Sequence, residues 1–480
     1  MAVVVSLLLL SVLSAAARER PPEVPPPKPI VLPMPQVRVL PNGLTLVVIE
    51  RRSLPVLTLR FVVKSGAETD PPNLPGLAQM TAEVLSQGTA RRDARQIAES
   101  VDTMGGSLDT GAGWDDSFAE LTVLSQYHDL AFDLINDLVR HPAFAAEELD
   151  RKRKQTISAL EVLRDDPAFT ADAILRVLIF SGTPYGHPTD GTEESVRRIT
   201  TRDLAAFHAQ HYAPANCILA VAGDITADTA LQFATRSFGD WMTSSLPEHR
   251  AVADRQHVTR RRMVIVDKPD AVQTEIRVGH EAIERSNPDY VPLTVANQVL
   301  GGPAANRLFK TLRSRLGLAY GASSDLTCEQ AVGSWVASTS TRTSGTARSL
   351  EAILDEIDRL GSHSISSDEL RTAKSYLIGH MALEFETSAD IAQQTLELMV
   401  HGLPLDYWNQ FPEKLTALDA QQVYAASRRY LDPGRDVIVL VGSAAEFSNE
   451  LGKYGPLEVI PIQELDLASP NLRRKGASAE

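Results

Sequence analysis

The sequence predicts an α+β fold made of two tandem homologous domains, each a largely antiparallel sheet packed with helices. Two observations carry this prediction. The chain has 480 residues, 43% of them hydrophobic, which is more than one core can organise. The chain is also written twice, with an internal repeat of about two hundred residues, far beyond any solenoid period.

The elements follow in order. The first half opens with two strand-like runs, LTLVVIE and VLTLRFVV, joined by RRSLP and followed by the helical stretch GLAQMTAEVLSQGT. The second half opens with RRMVIVDKP and VQTEIRVGHEA, followed by the helical stretch YVPLTVANQVLGG. The short joins predict that each opening pair forms a hairpin rather than a βαβ crossover. The closing segments agree as well. In DLAAFHAQHYAPANCILAVAGDIT and QQVYAASRRYLDPGRDVIVLVGSAAE an amphipathic helix runs to a tyrosine, a proline-containing turn follows, and an apolar strand ends at Gly223 or Gly442. The domains are therefore placed at 36–242 and 262–463, joined by a polar linker at 243–261 and followed by a flexible tail at 464–480.

The apolar run Ala2–Leu13, closed by small residues, is short for a membrane span and suits a cleaved secretory signal over 1–18, although a basic n-region is missing. Export, as to a periplasm, is the expected location, with no membrane span after signal removal. A proline-rich linker at 19–35 should be extended. The formal net charge of -14, with dispersed basic residues, argues against nucleic acid as a partner. Cys217 and Cys328 form neither a C-x-x-C motif nor a disulfide framework, and Cys217 reads as a small core residue.

The phrases PNGLTLVVIE, GLAQMTAEVLSQGT, PYGHPTDGTEESVRRIT, FHAQHYAPANCILAVAGDI, FGDW and NRLFKTLRSRLGLAYGASS together resemble the pitrilysin/insulinase family of zinc peptidases. The resemblance runs from Gln36 to about Pro461 and implies paired domains of this kind. Active relatives carry H-x-x-E-H on a helix, two histidines as zinc ligands and the glutamate as general base. Laid on that motif, GLAQMTAEVLSQGT puts Gln79 at the first histidine, Ala82 at the base and Glu83 at the second histidine. Glu161, in RKRKQTISALEVLRDDP, resembles the third ligand. One surviving ligand cannot hold zinc, and no metal is expected in this chain. Gln79, Glu83 and Glu161 as three oxygen donors would suit a hard cation better than zinc, but Ala82 cannot take a proton from bound water. His208 and His211, three apart, read as a solvated helix face, while His187, His280, His380 and His401 read as isolated packing or surface residues.

The second domain keeps Arg313 and Tyr320 in LRSRLGLAY. The resemblance implies that this pair projects into a chamber facing zinc, binding substrate and supporting the oxyanion that forms on attack at a peptide carbonyl. From spacing alone, Arg313 is one basic residue on an exposed helix and Tyr320 packs in a core. Lys374 and Glu386, in a later helical stretch, read as structural. The function expected is a non-catalytic subunit of a heteromeric zinc metallopeptidase, whose homologous partner chain with an intact H-x-x-E-H holds the zinc and whose substrates are peptides. The alternative is a scaffolding or peptide-binding subunit without a role in proteolysis.

Overall fold

The computed structural model describes residues 31–242, 260–303, 306–467, 469 and 471–474. The expected signal segment and most of the inter-domain linker lie outside the described residues. Among those residues, no helix is long and apolar enough to cross a membrane.

Two six-stranded sheets organise the chain. The first comprises β1 (Gln36–Val39), β2 (Thr45–Glu50), β3 (Val56–Val63), β4 (Ser107–Ala112), β5 (Ser117–Leu124) and β6 (Cys217–Gly223), in the order β1-β2-β6-β3-β5-β4. The second comprises β7 (Arg262–Asp267), β8 (Gln273–Glu281), β9 (Ala319–Cys328), β10 (Gly333–Arg342), β11 (Val437–Gly442) and β12 (Leu457–Pro461), in the order β12-β7-β11-β8-β10-β9. The predicted α+β class with two similar domains is borne out, and the repeat extends to the topology of five strands in each sheet; the sixth differs, β1 lying antiparallel to β2 and β12 parallel to β7.

The hairpin expectation is corrected. In each domain the closing strand inserts between the two opening runs. β6 pairs in parallel with β2 and antiparallel with β3, and β11 does the same between β7 and β8. Both closing strands are buried throughout, and a central place in the sheet covers both of their faces.

Alternation along β3 sorts its side chains between two cores. Leu57, Leu59, Phe61 and Val63 face the first domain's own helices, whereas Val62 faces the second domain. The domains exchange helices reciprocally. The helix α3 (Pro167–Ile179) lays Ile174, Leu175 and Leu178 on the second sheet, against Val264, Val437 and Val439. In return α4 (Ser388–Val400) packs Ile391, Ala392 and Leu396 on the first sheet, against Val62, Ile218 and Ala220. Asp172 of α3 reinforces the exchange by accepting from Arg277 of β8 at 2.5 Å.

The tips of the two equivalent hairpins also meet. Gln330 N, at the β9–β10 turn, donates to Asp115 Oδ2 at the β4–β5 turn (2.7 Å), and Tyr185 donates to Asp115 Oδ1 (2.5 Å). Arg176 lies 3.9 Å over the Trp114 ring and 3.6 Å from Glu329.

Both ends of the described chain are anchored. Leu32 N and O bond the Asn409 side chain at 2.9 and 3.2 Å, so the last residues of the expected extended linker are tied to the second domain. Residues 464–467 and 471–474 of the expected flexible tail fold back, with a Leu465–Arg473 bridge and Leu472 fully buried.

Candidate functional site: a rewired metal centre and an exposed Arg–Tyr pair

The motif helix α1 (Leu77–Leu85) starts at Gly76, whose φ of 89° is open to glycine and whose Cβ would fall 2.8 Å from Asp190 O. Asp70 caps this start, accepting from Gly76 N and Ala78 N at 2.6 and 2.8 Å. Burial nevertheless raises its carboxyl to about 7. This close approach brings the Asp190 loop beside the helix. Leu77, Ala78, Met80, Ala82, Val84 and Leu85 face the core, which leaves Gln79 and Glu83 on the open face, one helical turn apart.

These two side chains are engaged with each other and with their neighbours. Gln79 Nε2 donates to Glu83 Oε1 (3.2 Å), and Gln79 Oε1 accepts from Ala112 N of β4 (2.6 Å). Lys152, on α2 (Ala146–Arg164), stands 3.1 Å from Glu83. Burial raises the Glu83 carboxyl, Lys152 opposes that, and Asp190 adds to it. Asp190 is likewise raised by burial and eased by Lys152. An ammonium group therefore supplies, between two carboxylates, the positive charge that a metal ion would bring to such a pair.

Glu161 does not take part, and its reading as a surviving ligand is corrected. At about 100° per residue, the nine-residue step from Lys152 places it about half a turn away, on the opposite face of α2, and it is exposed there. Ala159 follows Lys152 on the inner face and has no donor atom. An amide, one carboxylate and an ammonium do not fit zinc, and fully buried Ala82 offers no base. Among the described residues no other group of His, Cys, Asp or Glu is gathered to hold a metal. Lys152 is the residue that sequence reasoning missed. Its phase on α2 relative to the motif helix was the available signal.

The histidine pair is also corrected, because it does not form a solvated face. His208 Nε2 lies 2.8 Å from Val139 O, and burial lowers its imidazole to about 4. His211 is buried, 3.0 Å from Ser65 Oγ. His187 bridges Pro188 O and Ala67 O, and His280 pairs with Asp436. Lys374 donates to the Thr416 and Leu418 carbonyls at a helix end, in keeping with a structural part. Cys217 and Cys328 are free thiols.

The Arg313–Tyr320 pair lies elsewhere, on the second domain. Residues Phe309–Arg315 form a π-helix, with Leu316 N reaching Thr311 O, and this wider winding recurs at functional sites. Gly317 then turns the chain at φ 61° into β9. The segment is pinned by Thr311 Oγ1 to Glu356 (2.7 Å), and just ahead of it by Arg307, bidentate on Glu369 at 2.7 and 3.1 Å. Tyr320 is 86% exposed, so its core reading is corrected. Arg313 is exposed as well, its guanidinium 4.6 Å from the Tyr320 ring centroid and 4.9 Å from that of Phe309. This stacking preorients a cation and a phenol toward solvent, and among the described residues neither has a hydrogen-bond partner that would have to be displaced before it served a ligand.

Comparison with known proteins agrees with this architecture. A family model described as Insulinase (Peptidase family M16) matches residues 46–193, and one described as Peptidase M16 inactive domain matches residues 198–377. An uncharacterized zinc protease of Mycobacterium leprae is 27% identical over 353 residues, covering 73% of this chain and 78% of that protein. A Helicobacter pylori protein described as a non-peptidase homolog is 25% identical over 364 residues, covering 75% and 82%. The crystal structure of a peptidase M16 inactive domain from Pseudomonas fluorescens superposes with a TM-score of 0.78 at 30% identity, covering 85% of this chain and 97% of that one. The first half of the periplasmic protease PqqL from Escherichia coli shares the fold, with a TM-score of 0.70 at 15% identity over 88% and 95%. The inactive-domain model covers mostly the second half, so the loss of metal chemistry rests on Gln79, Ala82 and Glu83 themselves. With two adjoining family models and a solved relative over most of its length, this chain belongs to the M16, or insulinase, family of peptidases.

Proposed function

We propose that this chain is the non-catalytic subunit of a heteromeric zinc metallopeptidase, exported to a compartment such as the periplasm. A homologous partner with an intact H-x-x-E-H holds the zinc and the general base, and this chain contributes Arg313, Tyr320 and half of the wall around a peptide substrate. One observation carries the reading. The centre that would need a metal is filled by Lys152, while the Arg313–Tyr320 pair stands exposed and stacked, with no hydrogen-bond partner among the described residues. A guanidinium and a phenol held in this way stabilise the negative oxygen of a tetrahedral intermediate only where another chain brings the attacking water. The Escherichia coli protease half with the same fold is one half of a longer peptidase, which supports the idea of a chamber assembled from two such units.

The test is a quenched-peptide assay with zinc present, run on this chain, on the partner, and on their mixture. Only the mixture should turn over substrate at the full rate. Arg313→Ala and Tyr320→Phe should each lower that rate, on the order of 10²-fold for a lost oxyanion donor, without altering assembly by size-exclusion chromatography. Chelator-sensitive activity of this chain alone would overturn the reading. A mixture indifferent to both substitutions would favour a scaffolding role.

A further inference from the structure

We propose that Gln79 closes the edge of this chain's first sheet: its carboxamide occupies the outward backbone N–H that an extended polypeptide would need in order to add as a further strand at the vestigial centre. The inference rests on the reading of the fold as one that handles peptides, and it assigns strand capture to the partner rather than to this chain.

The argument begins with register. β4 is an edge strand, paired among the described residues only with β5. Gly113 N donates to Asp116 O (2.7 Å) across the two-residue turn, which makes 113–116 a hydrogen-bonded pair. In an antiparallel ladder such pairs alternate with non-bonded ones. Gly111–Phe118 and Asp109–Glu120 are thus bonded pairs, while the backbone groups of Leu108, Thr110 and Ala112 point away from the sheet. Outward groups of this kind are what an added strand uses.

At Ala112 that position is already taken. Gln79 Oε1 lies 2.6 Å from Ala112 N. Gln79 is held in this pose from behind, by Glu83 at 3.2 Å, which is held in turn by Lys152 at 3.1 Å. The two polar substitutions in the motif, Gln79 and Glu83, thus form one relay ending on the edge strand. The second domain closes its equivalent edge by different means. Ser324 N of β9 donates to Gly301 O (2.9 Å), and Ser324 Oγ donates to Asn297 Oδ1 (2.6 Å). The two edges are each closed at one outward amide by unrelated contacts, a backbone carbonyl at Ser324 in one domain and a side-chain amide at Ala112 in the other.

The experiment uses the full chain without partner or zinc, so its result stands apart from the outcome of the mixed peptidase assay. The probe is a fluorescein-labelled 15-residue peptide lacking proline, with binding read by anisotropy and amide exchange resolved to single residues. In the unaltered chain, Ala112 should exchange more slowly than the outward amide of Leu108. Gln79→Met keeps the length of the side chain and removes the acceptor. It should bind the peptide about fivefold more tightly, as one released hydrogen bond allows, with new protection at Leu108, Thr110 and Ala112. Two results would overturn the proposal: Ala112 exchanging as fast as Leu108 in the unaltered chain, which needs no variant to observe, or equal affinity and equal β4 protection in the unaltered and Gln79→Met chains.

Discussion

Replacing Arg307 by methionine tests how the functional segment of the second domain is held. Arg307 is 7% exposed and grips Glu369 with two hydrogen bonds, tying the approach to the π-helix to the helix Ser367–Glu384. Burial works against the Glu369 carboxylate, but the Arg307 guanidinium and the Ser366 cap outweigh it and hold the carboxyl at about 2, against an ordinary 4.5. That displacement corresponds to at most about 3.4 kcal/mol. The Glu369 side chain is 24% exposed and Ser366 supplies part of the effect, so about 1.5–2 kcal/mol falls to Arg307. Methionine preserves the apolar packing of the stem and removes the charge.

The sign follows from a carboxyl depressed on folding. Its stabilisation is present above about 4.5 and is lost as pH falls toward about 2. Urea unfolding at pH 7 should show the variant about 1.5–2 kcal/mol less stable, with the gap roughly halved at pH 3. A gap under about 0.5 kcal/mol at pH 7, or one of equal size at both pH values, would refute the reasoning.

Two further outcomes are expected. Combining Gln79→His, Ala82→Glu and Glu83→His should still not give a chain that retains one zinc ion after dialysis, because the Lys152 side chain stays beside the second histidine position. Adding Lys152→Glu should raise the bound zinc measured by elemental analysis, and a triple variant holding stoichiometric zinc would contradict the role given to Lys152. At the domain junction, burial and then Asp115 raise the Glu68 carboxyl to about 9, so folding favours its protonated form. Stability should therefore decline as pH rises from about 4.5 toward about 9, and Glu68→Gln should flatten that decline in thermal melts across this range. An unchanged slope would remove Glu68 from the account.

Much of the architecture was legible because it is written locally. Runs such as VLTLRFVV and CILAVAG announce strands by their composition, and the repeat doubles every such signal. Strand partnership is not local. Nothing in LTLVVIE or RRSLP shows that a strand some 170 residues later will enter between the opening runs, and the short join suggested a hairpin instead. The loss of the motif was equally plain, since a glutamine and an alanine cannot do the work of histidine and glutamate. Glu161 was misjudged because a spacing count ignores helical phase, and half a turn separates it from the inner face that Lys152 occupies. His208 and His211 look polar on a helical wheel, yet their ring nitrogens are satisfied by Val139 O and Ser65 Oγ, and so they could be buried. Tyr320 was ambiguous for the converse reason: an aromatic residue beside a strand usually packs inward, and only the Gly317 turn shows it projecting.

The reciprocal helix exchange bears on how this protein can be taken apart. Ile174, Leu175 and Leu178 would lie bare on a fragment ending at the linker, and Val437, Val439 and Val264 would lie bare on its complement, as would Ile391 and Leu396. Neither repeat is therefore a module that can be cloned, shuffled or crystallised alone, despite the duplication so evident in the sequence. The trade of one helix each way makes the two repeats a single folding unit, in which a lesion in α3 is felt first by the other repeat.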